Sequence, residues 1–197
     1  MAAAPAVSRS FTPEEYFAWV AAQDEKHEYY DGEVFAMAGG SYAHSVITNN
    51  LGAELRRALR PHGCTTSSSD LRVQLTASRR YVYPDVTAVC GEPTFLDDDR
   101  VTLLNPTLIG EVLSPSTETF DLGTKARLYR ELPSLQALLL VRQDEPAAML
   151  FCRDGDRWTV EDAVGLDAHL DVLGAPLALA EVFDGVTFEA SAGPSGV

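Results

Sequence analysis

Asp85 and Glu111 are the side chains of this 197-residue chain best placed to do chemistry. Each is a carboxylate inside a stretch that reads as β-strand. In the run from 81 to 90, rich in β-branched and aromatic residues, Tyr81, Tyr83, Asp85, Thr87 and Val89 share one face by the two-residue period of a strand. In the apolar run from 107 to 113, Thr107, Ile109, Glu111 and Leu113 do the same. A charge between Ile109 and Leu113 is costly to bury unpaired, so Glu111 requires an Arg, a Lys or a metal as partner. Pro84 cannot donate to a ladder, so the sheet is expected to be interrupted or splayed just before Asp85. Two such carboxylates on neighbouring strands make an oxygen-rich site suited to Mg²⁺ or Mn²⁺. The plainer reading of each is a structural carboxylate satisfied by the protein itself.

Other chemistries have little support. There is no Gly-x-Ser-x-Gly elbow, no phosphate-binding Gly-x4-Gly-Lys-Ser, no Gly-x-Gly-x-x-Gly after a strand and no His-Glu-x-x-His. His27, His44, His62 and His169 lack metal-ligand spacing. Cys64, Cys90 and Cys152 are odd in number and widely spaced, and fit neither a disulfide framework nor a zinc site. They are compatible with a reducing cytoplasm, and the location expected is cytoplasmic. No apolar run approaches the roughly 18 residues of a membrane helix, and the N-terminus shows no signal-peptide pattern.

The elements that must position the two carboxylates are legible. Thr12-Pro13-Glu14-Glu15 is a helix start, with Thr as N-cap, Pro at N1 and Glu at N3, running to about residue 22. Tyr29 to Met37 reads as a hairpin turning at Asp31-Gly32. Ser41 caps an amphipathic helix over about 42–60, with Ile47, Leu51, Leu55 and Leu59 at four-residue spacing and Pro61-His62-Gly63 as its stop. Residues 69–75 alternate as a strand. A helix over about 121–132, with Asp121 as cap, follows Ser114-Pro115-Ser116-Thr117, and the runs 135–142, 147–153 and 157–161 form a meander. The apolar stretch 172–180 packs on the domain or on a partner. The fold class expected is α/β bordering on α+β, a mixed central sheet flanked by helices with an N-terminal hairpin and a C-terminal meander. Residues 1–10 read as a flexible N-terminus, 11–190 as a single domain and 191–197 as a flexible tail.

Pro84-Asp85, then Glu111-Val112-Leu113-Ser114-Pro115-Ser116-Thr117, then Asp121 and Lys125 resembles the Uma-two family. Tyr29-Tyr30-Asp31-Gly32-Glu33, His44 and the strand Ser69-Asp70-Leu71-Arg72-Val73 fit the same pattern, and the resemblance runs from about Phe11 to Phe183. It implies a restriction-endonuclease-like PD-(D/E)XK core. It also implies an endonuclease that hydrolyses DNA with Mg²⁺ (or Mn²⁺) held by Asp85 and Glu111 and, as a further ligand, the Val112 carbonyl. The motif expects Lys two residues after the second carboxylate, where this chain has Leu113. Lys125 then supplies the cation from the following helix, in phase with Leu128 and Leu132, and pairs Glu111. Glu33, His44 and Asp70 are accessory candidates for the same cleft, and Arg72, Arg79 and Arg80 for a phosphate-contacting patch. For each of these the plainer reading is the structural one.

The charge stands against a polyanionic substrate. Fifteen Lys+Arg against twenty-nine Asp+Glu give −14, which repels phosphate backbones at long range. Two other readings therefore stay open: a nuclease fold serving as a non-catalytic binding or regulatory module, and a metal-dependent hydrolase of small phosphoesters. A homodimer is expected on the general frequency of two-fold assemblies.

Overall fold

The computed structural model describes residues 9–37, 39–75, 80–114 and 121–188. The tail at 191–197, most of the segment 1–10, Pro115, Ser116, Thr117, Arg79 and the side chain of Asp121 lie outside the described residues. Among those described, no helix is long and apolar enough to cross a membrane.

The capping signals place the helices. Thr12 caps α1 (Pro13–Val20) through a reciprocal capping box with Glu15, and Ser41 caps α2 (Tyr42–Leu59) by accepting from the His44 N–H. Between them lies the hairpin of β1 (His27–Tyr30) and β2 (Glu33–Ala36), in antiparallel register Tyr30↔Glu33. Its two-residue turn needs positive φ at both positions, and Asp31 (49°) and Gly32 (101°) supply it.

The strands form two main sheets. The smaller holds β1, β2, β4 (Arg72–Leu75), β5 (Arg80–Val82) and β7 (Thr102–Leu103), in the order β2-β1-β5-β4-β7. The larger holds β3 (Cys64–Ser68), β6 (Val86–Cys90), β8 (Leu108–Leu113), β9 (Ala137–Arg142), β10 (Ala147–Asp154) and β11 (Arg157–Val164). Its order is β11-β10-β9-β8-β6-β3, mixed because β8 and β9 run parallel. The expected meander is β9-β10-β11. The hairpin of β12 (His169–Val172) and β13 (Ala175–Ala178) and the short helix α4 (Leu179–Val182) complete the chain.

Period two decides what each face of β8 meets. Leu108 and Val112 join Ile47, Leu51, Leu55 and Leu59 of α2 in one core, which also takes Val172, Leu177, Leu179 and Val182. The apolar stretch near the C-terminus therefore packs on this same chain. Ile109 and Leu113 face the opposite core, with Leu128, Tyr129 and Leu132 from the segment around α3 (Ala126–Arg130), and with Val73 and Val82 of the smaller sheet. Glu111 lies on that second face, buried within the sandwich.

The structure departs from the sequence reading in three places. The run 81–90 is not one strand: the chain leaves β5 in the smaller sheet, passes through Tyr83-Pro84-Asp85 and enters β6 in the larger. Its side chains do not share a face, because the break at Pro84 is a change of sheet. The helix expected over 121–132 is a π-helical turn, Asp121–Lys125, running into α3. Cys64 and Cys90, read as unpaired, are joined by a disulfide. Their spacing carries no signal, and it is the antiparallel register of β3 on β6 that sets the two residues opposite each other. Chain-entropy arithmetic for a separation of 26 residues gives a stabilisation of about 3–4 kcal/mol. Reduction with dithiothreitol, or Cys64→Ser with Cys90→Ser, is expected to lower the unfolding free energy by about that amount. Urea denaturation of both forms checks it.

Candidate active site

The two strand carboxylates meet where β6 begins. Val86 pairs with Gly110 across the ladder, so Asp85, one residue earlier, comes opposite Glu111. The Asp85 N–H reaches Glu111 Oε2 at 3.4 Å, and the Val112 N–H donates to Asp85 Oδ2 at 2.8 Å. A single antiparallel ladder, β6 on β8, entered at the change of sheet, thus holds both groups. Glu111 is 6% exposed and Asp85 more open.

Lys125 arrives at the end of the π-helical turn and is buried. Its Nζ lies 2.9 Å from Glu111 Oε1 and 3.4 Å from Glu28 Oε1. Burial alone would favour the neutral amine. The Glu111 and Glu28 carboxylates outweigh it and hold the Lys125 ammonium well above its ordinary range. The Tyr129 hydroxyl, one helical turn on, donates to Glu111 Oε1. Burial and the same carboxylates push the Tyr129 phenol well above its usual value, so it stays a donor. Leu113, where the motif has its lysine, packs in the core, and a cation from the helix stands on the same side of the sheet.

Glu28, like Tyr129, is a participant that sequence reasoning missed. It sits on β1, accepts from the Tyr83 N–H at 3.1 Å and from the Tyr30 hydroxyl at 3.1 Å, and faces Lys125. Its signal was present but unread. In His27-Glu28-Tyr29-Tyr30 the alternation buries His27 and Tyr29, while Glu28 and Tyr30 form the opposite, half-buried face. Only the pairing of β1 with β5 turns that face toward Lys125.

His44 lies in the first turn of α2, with its Nε2 3.3 Å from Asp85 Oδ2 and its Nδ1 3.4 Å from Thr48 Oγ1. The hydrogen bond to Asp85 raises the affinity of the imidazole for a proton, against burial, and the Val112 carbonyl contributes in the same sense. The loop before α2 makes room for this ring: a Cβ on Gly40 would come within 2.8 Å of His44 Nδ1.

The remaining candidates lie apart. Glu33 is exposed on the hairpin. Asp70 is exposed and pairs Lys26 at 2.6 Å, which holds its carboxyl below the usual range. Arg72 is buried, with its Nε donating to Thr102 Oγ1 at 2.9 Å and its guanidinium over the Phe17 ring at 4.6 Å. Arg80 pairs Asp31. These two arginines are structural and do not form the expected phosphate patch.

The donor set fits a small hard cation. Among the described residues no cluster of three or more His, Cys, Asp or Glu side chains could close round a metal. Mg²⁺ does not ask for one, since it keeps several waters and takes one or two carboxylates. Both bonds to the Asp85 side chain fall on Oδ2. Its other oxygen, Glu111 Oε2 and the Val112 carbonyl are the oxygens that could face such an ion.

Comparison with known proteins adds a family and a fold. The Uma2 family model, described as "Putative restriction endonuclease", matches residues 13–186. An uncharacterized protein of Synechocystis sp., slr1290, is 38% identical over 180 residues, spanning 90% of this chain and 93% of that one. A second, sll1609, is 34% identical over 167 residues, spanning 84% and 94%. The crystal structure of a putative nuclease of DUF820 from Anabaena variabilis superposes with a TM-score of 0.70 at 17% identity, covering 88% of this chain and 97% of that one.

Proposed function

The chain belongs to the Uma2 family of restriction-endonuclease-like proteins, and from that membership we propose that it is a metal-dependent nuclease hydrolysing DNA phosphodiester bonds. The observation that carries the reading is the pair Asp85 and Glu111 on adjacent strands, with a protonated Lys125 beside them in place of the strand lysine. Asp85, Glu111 and the Val112 carbonyl would hold Mg²⁺ or Mn²⁺. Bound there, the ion would lower the pKa of a water and neutralise charge on the phosphate.

The protein's own groups have distinct tasks in this reading. Lys125, held between two carboxylates, acts as a fixed positive charge and not as a base: it orients a water and stabilises developing negative charge. Tyr129 and Glu28 fix where that charge stands. His44 donates to Asp85, keeping the carboxylate aimed while remaining within reach of the groove beside α2.

The test is incubation of purified protein with single- and double-stranded DNA in Mg²⁺ or Mn²⁺, with EDTA as control. Metal-dependent cleavage of either supports the proposal, and cleavage of neither overturns it. A second reading is favoured by one observation. Glu111 Oε1 is already taken by Lys125 and Tyr129, as a purely structural ion pair would have it. That non-catalytic module would show no metal-induced rise in melting temperature.

A further inference from the structure

Glu111 and Lys125 are buried, whereas Asp85 and His44 open on a groove of about 860 Å³ between α2 and β3. The groove is unlike the rest of the surface in charge. The chain has twenty-nine acidic residues, yet among the described residues lining the groove Asp85 is the one acid, and Lys26 and Arg56 line it as well. Lys26 is already paired with Asp70 at its rim, while Arg56 makes no salt bridge among the described residues. Neutral donors line the space between: Thr48 and Asn49 from α2, and the serines of β3. At 1.5 Å per residue, the helix from His44 to Arg56 gives the groove a length of about 18 Å.

Tyr42 is the first residue of α2, two residues before His44 and just outside the lining of the groove, and is 83% exposed. No ring contact or hydrogen bond within the described residues holds it. An aromatic ring presented to solvent at the end of the helix that walls the groove is a stacking surface for an unpaired base. A groove of this volume lies within the range of small-ligand pockets, a scale that suits one strand.

We propose that this groove is the track of a single DNA strand, with Tyr42 stacked on a base at the entrance to the site and Arg56 on a phosphate at the far end. This rests on the nuclease reading above and names the form of its substrate. It also reconciles a DNA ligand with a charge of −14. Affinity comes from stacking and neutral donors, with one or two phosphates neutralised, so binding is only weakly salt-dependent. The slope of log K against log salt should lie between about −0.7 and −1.4.

The test is fluorescence anisotropy with a 5′-fluorescein twelve-nucleotide oligothymidylate and with a duplex of the same length, in Ca²⁺ and again in EDTA. The single strand is expected to bind at least tenfold more tightly than the duplex. Tyr42→Ala and Arg56→Glu should each weaken it by about tenfold. Arg57→Glu makes the same charge change on α2 outside the groove and should leave binding within about twofold. Absence of single-strand binding in both buffers overturns the proposal. So does a duplex bound as tightly as the single strand, an unaffected Tyr42→Ala, or an Arg57→Glu loss equal to that of Arg56→Glu. Binding is read without cleavage, so the two proposals fail separately. Single-strand binding with no hydrolysis leaves the groove and removes the nuclease, while duplex cleavage indifferent to Tyr42 and Arg56 does the reverse.

Discussion

Asp85→Ala is expected to lower metal-dependent DNA cleavage by about a thousandfold or more and to abolish Mg²⁺ binding, since a bound ion contributes several kcal/mol at the transition state. The residue is the weak point of the site because its alternatives are few. Glu111 has Lys125 and Tyr129 on one oxygen, and without Asp85 it would offer only Oε2 to a cation. The variant should still fold. It loses an acceptor for the Val112 N–H and a partner for His44, an expense of about 1–3 kcal/mol. Asp85→Asn separates the two effects: it keeps an acceptor for Val112 and removes the charge, so it should recover stability without recovering cleavage. Calorimetric titration with Mg²⁺ and single-turnover cleavage of the three proteins measure this. Wild-type rates in Asp85→Ala would refute the assignment.

Lys125→Met is expected to cost about 3–5 kcal/mol of stability, because it leaves Glu28 and Glu111 facing each other in a buried space without a cation. The pH dependence has a definite sign. The Lys125 pKa is raised in the folded protein, so its stabilisation is complete below the unfolded value of about 10.4 and is lost only as pH rises through the higher folded one. The gap between wild type and variant should therefore be level through neutral pH and close in strong alkali. It should also narrow in acid, where the abandoned carboxyls take up protons. Adding Glu28→Gln to Lys125→Met should restore part of the loss by removing one uncompensated charge. Urea denaturation across the pH range checks all three expectations. A variant as stable as wild type at neutral pH would show that the ion pairs do not hold this part of the fold.

The legible parts of this protein were those governed by local rules. The cap at Thr12, the turn at Asp31-Gly32, the four-residue spacing of Ile47 to Leu59 and the alternation along β8 all appear in the structure as read. The reading of Glu111 as a buried charge in need of a partner followed from the cost of desolvation, and the structure supplies Lys125. What escaped were choices made by pairing at long range. Nothing local says that β3 lies against β6, which brings Cys64 to Cys90, or that β1 lies against β5, which brings Glu28 to Lys125. Pro84 gave warning of a break but not that the chain changes sheets there. The arginines misled for a related reason: Arg72 has the residue type of a phosphate ligand, but its place between aromatic rings and Thr102 depends on how the smaller sheet packs.

The bridge of Glu28, Lys125 and Glu111 spans the two sheets, one end on β1 and the other on β8. On the proposed reading, selection acts on these side chains twice, once for chemistry and once for keeping the sandwich closed. A lineage that gave up catalysis would still be penalised for losing Lys125 or Glu111, whereas Asp85, with its single backbone partner and open flank, would be released to drift. Among descendants of such a protein, the residue at position 85 records whether the chemistry is still in use, and the residue at 125 records only that the chain still folds.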